Sequence, residues 1–443
     1  MTPALTRIET RVGPRPNPQQ TFAAAAARET GLSRLLIVYI TTGLLFMLAP
    51  GTFLGVWNLL AISSHRASGS VSAAWVQAHG HAQIFGWIGT FILGIGFYSI
   101  PKLRGLNRFA LGAAWTSWVL WTAGVTLRWL AGVSPWHWRV LFPLSAASEL
   151  AAFGIFFRCV AGHRPEGAGK KKLDAWVGVV IAGTVGLMLA LAANLAAAFY
   201  LAIERPTPEL PGVLDQRLLV LQTWGCLVPF VWGFSARWLP VFLGLRAVRA
   251  RALLLAVVFN SAGVIAALTG LPAASAILLA AGILIAIYAL RLFEPAERPA
   301  KVEGVHGSYP TFVRLAYGWA AIAAGLGIWS VFLAGSHGIA GAARHALTVG
   351  FLATMVFTVG QRVLPAFSGM RLLFSSKLMF AALLLLACGC LLRVSSEILA
   401  YQGWASAAWS WLPLSADCEM AAVTGFAVNL LVTFARPRPT SGA

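Results

Sequence analysis

The chain has 443 residues, 58% of them hydrophobic and 11% charged, with mean hydropathy +0.76 and a formal net charge of +19. A soluble globular domain is excluded, because such domains carry roughly 25% charged residues. In so apolar a chain the positive surplus reads as short basic loops that set orientation across a bilayer, so a lipid bilayer and no nucleic acid is expected as partner.

Residues 1–33 carry Arg7, Arg11, Arg15 and Arg28 and have no apolar signal core, and read as a disordered cytoplasmic tail. Apolar runs long enough to span follow at 34–61, 75–100, 108–131, 139–160, 174–202, 217–241, 250–270, 272–293, 311–335, 342–366, 374–400 and 406–434. The break at "TGLPAA", 269–274, makes a very tight turn if the seventh and eighth runs form a hairpin. Alternate loops are basic: Lys102, Arg104 and Arg108; Arg158, Arg164 and Lys170–Lys172; Arg246, Arg249 and Arg251; Arg291, Arg298 and Lys301; Arg371 and Lys377. The other loops are poorer in Lys and Arg, and the one at 203–217 holds Glu204, Glu209 and Asp215. The alternation predicts an all-α, multi-pass protein of the bacterial inner membrane with both termini, including the tail 435–443, in the cytoplasm.

Three segments read alike: "HAQIFGWIGTFILGIGFYSIPKLRG" from His81, "VLQTWGCLVPFVWGFSARWLPVFLG" from Val220 and "HALTVGFLATMVFTVGQRVLPAFSG" from His345. Each keeps a glycine at Gly86, Gly225 or Gly350, a proline at Pro101, Pro240 or Pro365, and a closing glycine at Gly105, Gly244 or Gly369. They are the second, sixth and tenth helices, so the spacing predicts a single domain over 34–434 built from three four-helix repeats, about 34–160, 174–293 and 311–434. "LFPLSAASELAA" also resembles "WLPLSADCEMAA", which aligns Glu149 with Glu419, and Arg128 falls near Arg393.

Histidine in a lipid-spanning helix is costly and tends to have a partner or a task. His79 and His81 diverge by about 200° around a helix, so they cannot both ligate one atom. His345, at equivalent depth on the tenth helix, is the partner for one of them. Two imidazoles on facing helices suit the axial positions of a haem iron; structural hydrogen bonding is the alternative. Gly80, Gly86, Gly89, Gly94, Gly96 and Gly350 leave room for a flat group or serve close helix packing. Copper would need further ligands, with His65, His137 and His337 on the same side. Glu149 and Glu419, with Arg128 and Arg393 as partners, form a candidate intramembrane polar network. The five cysteines, Cys159, Cys226, Cys388, Cys390 and Cys418, fit no zinc or disulfide spacing and read as buried free thiols.

Twelve helices in three sets of four resemble the catalytic subunit of the haem-copper oxidases and nitric oxide reductases, whose second and tenth helices hold a low-spin haem. On that resemblance His345 takes the low-spin ligand position and His79 or His81 the other; His81 is the repeat equivalent of His345. The chain departs from those enzymes where Ala343 replaces the high-spin haem histidine, and where "RLLVLQTWGCLVPFVWGF" and "ALLLAVVFNSAGVIAALTG" lack the copper-binding histidines. A conventional oxygen-reducing oxidase is therefore not expected. The chain also resembles the NnrS family in its early His79-x-His81…Phe85-Gly86 motif and its late "HALTVG" at 345–350. The resemblance implies a b-type haem, copper, and a role in the nitric oxide response or in membrane electron transfer with a redox partner. A proton-coupled transporter without haem is the alternative.

Overall fold

The computed structural model describes residues 18–104, 109–134, 136–161, 174–333 and 338–437. All regular structure in them is helical, as it must be where lipid offers the backbone no hydrogen-bond partner. We number the long helices α1 (Ala23–His65), α2 (Ala73–Leu103), α3 (Leu111–Val133), α4 (Trp138–Val160), α5 (Ala175–Glu204), α6 (Gly212–Phe242), α7 (Ala250–Leu268), α8 (Pro272–Leu290), α9 (Tyr309–Phe332), α10 (Ile339–Phe367), α11 (Ser376–Tyr401) and α12 (Ala408–Ala435). All but α3 are long and apolar enough to cross a membrane. The 23-residue α3 is longer than the 19-residue α7 and α8 but carries Arg128 and several hydroxyls.

Successive helices pack on one another, and α12 closes onto α1. The most apolar stretches of α2, α6 and α10 are 78%, 67% and 72% buried, against 33–61% in the other spans. Those three helices therefore occupy the middle of the bundle. The α7–α8 hairpin turns in three residues, which requires Gly270 at φ +83°, a conformation open to glycine.

The N-terminal expectation needs correction. Helical backbone runs back from the Ala23 end of the α1 span to Pro18, so residues 18–33 are helix rather than disordered tail, while residues before Pro18 lie outside the described set. The run "FAAAAARE" explains it, since alanine is the strongest helix former and proline is well placed at a first turn. Its end docks on α2: Glu29 lies 2.6 Å from Lys102 Nζ and accepts from Tyr98 Oη at 2.6 Å, while Arg28 donates to Phe109 O at 3.2 Å.

Four helices widen into π turns, at Met47–Phe53 in α1, Ala82–Gly89 in α2, Leu221–Leu227 in α6 and Ala346–Ala353 in α10. The last three start one residue after His81, Val220 and His345, the first residues of the three similar segments. A π turn displaces carbonyls from the regular ladder, and they need other donors. In α2 the Phe85 carbonyl accepts from Trp121 Nε1 at 3.2 Å, and Thr90 Oγ1 bonds back to Gly86 O at 2.6 Å. In α10 Thr354 Oγ1 bonds back to Val349 O at 3.2 Å.

Most of the glycines singled out above serve close packing. A Cβ at Gly86 would meet Phe46, at Gly89 Trp121, at Gly94 Tyr39, at Gly96 Phe156 and at Gly350 Trp319, each within 3 Å; Gly80 has open space beside it. Two helix crossings match in detail. A Cβ at Gly124 would lie 2.7 Å from Glu149 Cγ and 2.9 Å from Ser145 O; at Gly389 the corresponding distances are 2.8 Å to Glu419 Cγ and 3.1 Å to Ser415 O. Gly124→Val is expected to destabilise the protein by about 1–3 kcal/mol through overpacking against backbone. Thermal unfolding in detergent measures it; an unchanged midpoint would count against this crossing.

Candidate functional site

The helix α2 starts at Ser72, whose hydroxyl accepts from Ala74 N at 3.2 Å. Two turns on, His79 faces α1. Its Nδ1 lies 2.8 Å from Gly51 O. A carbonyl can only accept, so Nδ1 carries the proton and Nε2 is left with its lone pair. Gly51 follows Pro50 inside the α1 π turn, where the proline supplies no N–H to the ladder. One turn later a Cβ at Gly55 would come within 2.7 Å of His79 Cε1, so glycine there lets the imidazole lie flat against α1.

His345 repeats this arrangement by other means. Its Nδ1 donates to Gly341 O at 2.9 Å, one turn back on α10, which leaves Nε2 as the acceptor, and Nε2 accepts from Arg393 Nη2 at 3.5 Å. Glu397 Oε2 lies 3.1 Å from the same Nδ1, an ion-pair contact without hydrogen-bond alignment. Arg393 Nη2 lies 3.5 Å from both Glu397 Oε2 and His345 Nε2. Arg393 is 8% exposed, yet its Nε and Nη1 have no partner. Leaving buried donors unpaired is costly, which marks a place built for an acceptor. A Cβ at Gly341 would collide with Glu397, so this glycine makes room for the carboxylate. Arg393 and His345 meet from α11 and α10, and α2 packs on α10 through Trp87 and Phe357, whose ring centres are 6.1 Å apart.

His81 points away, as the helical spacing predicts. Its Nε2 lies 2.8 Å from Glu149 Oε1 on α4, and its ring is 4.8 Å from that of Phe85. The polar network has closer partners than the sequence named. Glu149 is bonded to His81 and shares a chamber with Arg128, whose guanidinium lies 3.9 Å from the Phe142 ring centre. Arg393 has its direct ion-pair contact with Glu397, one helical turn along the same face of α11. Glu419 has its Cγ seated against Gly389, and its buried Oε1 has no partner.

The loop histidines stay apart from this site. His65 is exposed with Nδ1 2.9 Å from Ala61 O, His137 is exposed beside Trp136, and His337 lies outside the described residues. Among the described residues no group of three or more His, Cys, Asp and Glu side chains is placed to hold a metal ion. All five cysteines are free, but Cys388 is exposed on the outside of α11, contrary to expectation, while Cys390 two residues on is buried. Sequence reasoning missed Glu397, whose signal was its i+4 spacing from Arg393, and missed the Gly51 and Gly341 carbonyls, which no residue type announces.

Residues 37–438 match the family described as NnrS protein. The chain belongs to that family. No curated protein sequence matches this NnrS-family protein. Its fold is similar to that of a haem-copper terminal oxidase dimer solved by cryo-electron microscopy, with TM-score 0.69 over 93% of this chain and 85% of that one, at 12% sequence identity. The NnrS-family chain thus has a haem-copper oxidase-like membrane fold.

Removing one partner of a buried ion pair leaves the other uncompensated. Glu397→Leu is expected to destabilise the protein by about 3–5 kcal/mol, and the double variant Glu397→Leu/Arg393→Met to recover most of that loss. Unfolding curves of both variants in one detergent check this; a double variant as weak as the single would show the pair is not coupled.

Proposed function

We infer that this NnrS-family protein binds a b-type haem between α2 and α10, with His79 and His345 as axial ligands. One observation carries the reading: each imidazole donates its Nδ1 proton to a glycine carbonyl, Gly51 O at 2.8 Å and Gly341 O at 2.9 Å, so each Nε2 keeps a lone pair as acceptor; that of His345 accepts from Arg393 Nη2 at 3.5 Å, a long contact that a bound iron would replace. Such bonds fix the tautomer, aim the ring and raise its basicity, which is how ligating imidazoles are held. Two imidazoles from neighbouring helices would meet the axial demand of a haem without the three-ligand cluster that copper needs. The unpaired Nε and Nη1 of Arg393 add donors suited to the carboxylates that a haem carries. His81 is committed to Glu149, so His79 is the better ligand although His81 is the sequence equivalent of His345.

The iron, when bound, supplies a one-electron redox couple. This chain's residues hold the two imidazoles at fixed tautomers and surround them with buried helix. If His79 and His345 both held the iron, oxygen or nitric oxide could bind only by displacing one of them. The reading therefore favours electron transfer or sensing in the nitric oxide response over gas reduction. The absence of histidine from "RLLVLQTWGCLVPFVWGF" and "ALLLAVVFNSAGVIAALTG", and Ala343 two residues before His345, support the lack of an oxidase-type binuclear centre. Charge alternation in the loops supports an inner-membrane protein with cytoplasmic termini. The π turns at equivalent positions and the matched Gly124–Glu149 and Gly389–Glu419 crossings support three four-helix repeats.

Oxidised and dithionite-reduced optical spectra test the proposal. The detergent-purified protein should show a Soret band and sharp reduced bands. These are expected to be lost or strongly altered in His79→Ala and in His345→Ala, and kept in His81→Ala. A colourless, well-folded protein made with ample haem supply would sink the proposal and turn attention to proton-coupled transport.

A further inference from the structure

A second polar site lies on the other side of α2, where the ends of α2, α3, α4 and α5 meet beneath the α5–α6 loop. A small, largely enclosed chamber there is lined by His81, Arg128, Phe142, Glu149, Asn194 and Leu210, with room for about one water molecule. Two buried polar atoms of its lining lack partners, and they are of opposite kind. Glu149 is fully buried; its Oε1 is bonded to His81, which leaves Oε2 as an unused acceptor. Asn194 accepts from Gln222 Nε2 through Oδ1 at 2.9 Å, which leaves Nδ2 as an unused donor. Nearby Ser145 is spent on Gly124 O at 2.8 Å, so it does not supply the missing contacts.

We propose that this chamber binds one water molecule between the first and second groups of four helices. The occupant must donate to Glu149 Oε2 and accept from Asn194 Nδ2. A metal or alkali cation could coordinate Glu149 Oε2 but not the N–H groups of Asn194 Nδ2, and it would face the Arg128 guanidinium, on which Glu149 and then Asp215 act. An anion would face the carboxylate. Water donates and accepts, fits the volume, and finds polar partners in a site otherwise walled by Phe142, Ala146, Ala197, Ala198 and Leu210. Such a water completes a run of hydrogen bonds from His81 through Glu149 to Asn194 and Gln222, joining α2, α4, α5 and α6. This site does not rest on the haem reading, since no group in it is a proposed ligand.

X-ray radiolytic labelling in ¹⁸O-water tests it, because hydroxyl radicals born on a bound water attack the side chains beside it. Phe142 is 1% exposed and lines the chamber; Phe426 is 0% exposed and does not. In the folded wild type Phe142 is expected to take up label several-fold faster than Phe426. Asn194→Leu, which fills the space with apolar atoms, should bring Phe142 down to the rate of Phe426. Equal rates for the two phenylalanines in the wild type would overturn the proposal, and so would undiminished labelling in a folded Asn194→Leu. The wild-type ratio decides the matter if that variant does not fold.

Discussion

The Gly51 carbonyl belongs to a π turn in the middle of a span, where the backbone must normally satisfy itself. A carbonyl oxygen has two lone pairs, and the widened turn presents this one sideways to α2. It takes the His79 Nδ1 proton at 2.8 Å, and the orientation of that ring, its tautomer and the direction of its free nitrogen all follow. Remove the contact and the His79 Nδ1–H is left to turn to any acceptor within reach. The neighbouring architecture serves the contact: Pro50 opens the turn, Gly55 lets the ring lie against α1, and Gln83 bonds across to Thr52 at 3.1 Å to pin the two π turns together.

His345 reaches the same chemical state within its own helix, and this difference has a physical reason. On α10 the carbonyl four residues back is Gly341 O, and the neighbouring α11 brings a carboxylate and a guanidinium rather than a second widened turn. One imidazole is thus held by pure backbone and the other beside a buried ion pair. Chemically equal ligand nitrogens sit in electrostatically unequal surroundings.

Much of the fold was legible in the sequence, because hydropathy over twenty residues and loop charge are strong signals for a chain that must satisfy its backbone within lipid. The helix number, the tight "TGLPAA" hairpin and the importance of α2 and α10 could be read directly. The helix over 18–33 was hidden because an alanine run has helix propensity without marked amphipathicity. The partners of Glu149 and Arg393 were hidden for a different reason. Sequence alignment of repeats pairs like with like, whereas contacts depend on which way each side chain leaves its helix. His81 reached Glu149 before Arg128 could, and Arg393 found Glu397 on its own helix. Backbone carbonyls as partners are invisible to any reading by residue type.

His79 and His81 leave one turn of α2 on opposite sides, the first gripped by α1 and the second by α4. The helix between them acts as a shared axle. A rotation of α2 about its length would carry both rings sideways from their partners, and a shift along the axis would likewise disturb both bonds at once. The two bonds together fix α2: it has a single rotational and axial setting at which both imidazoles are held.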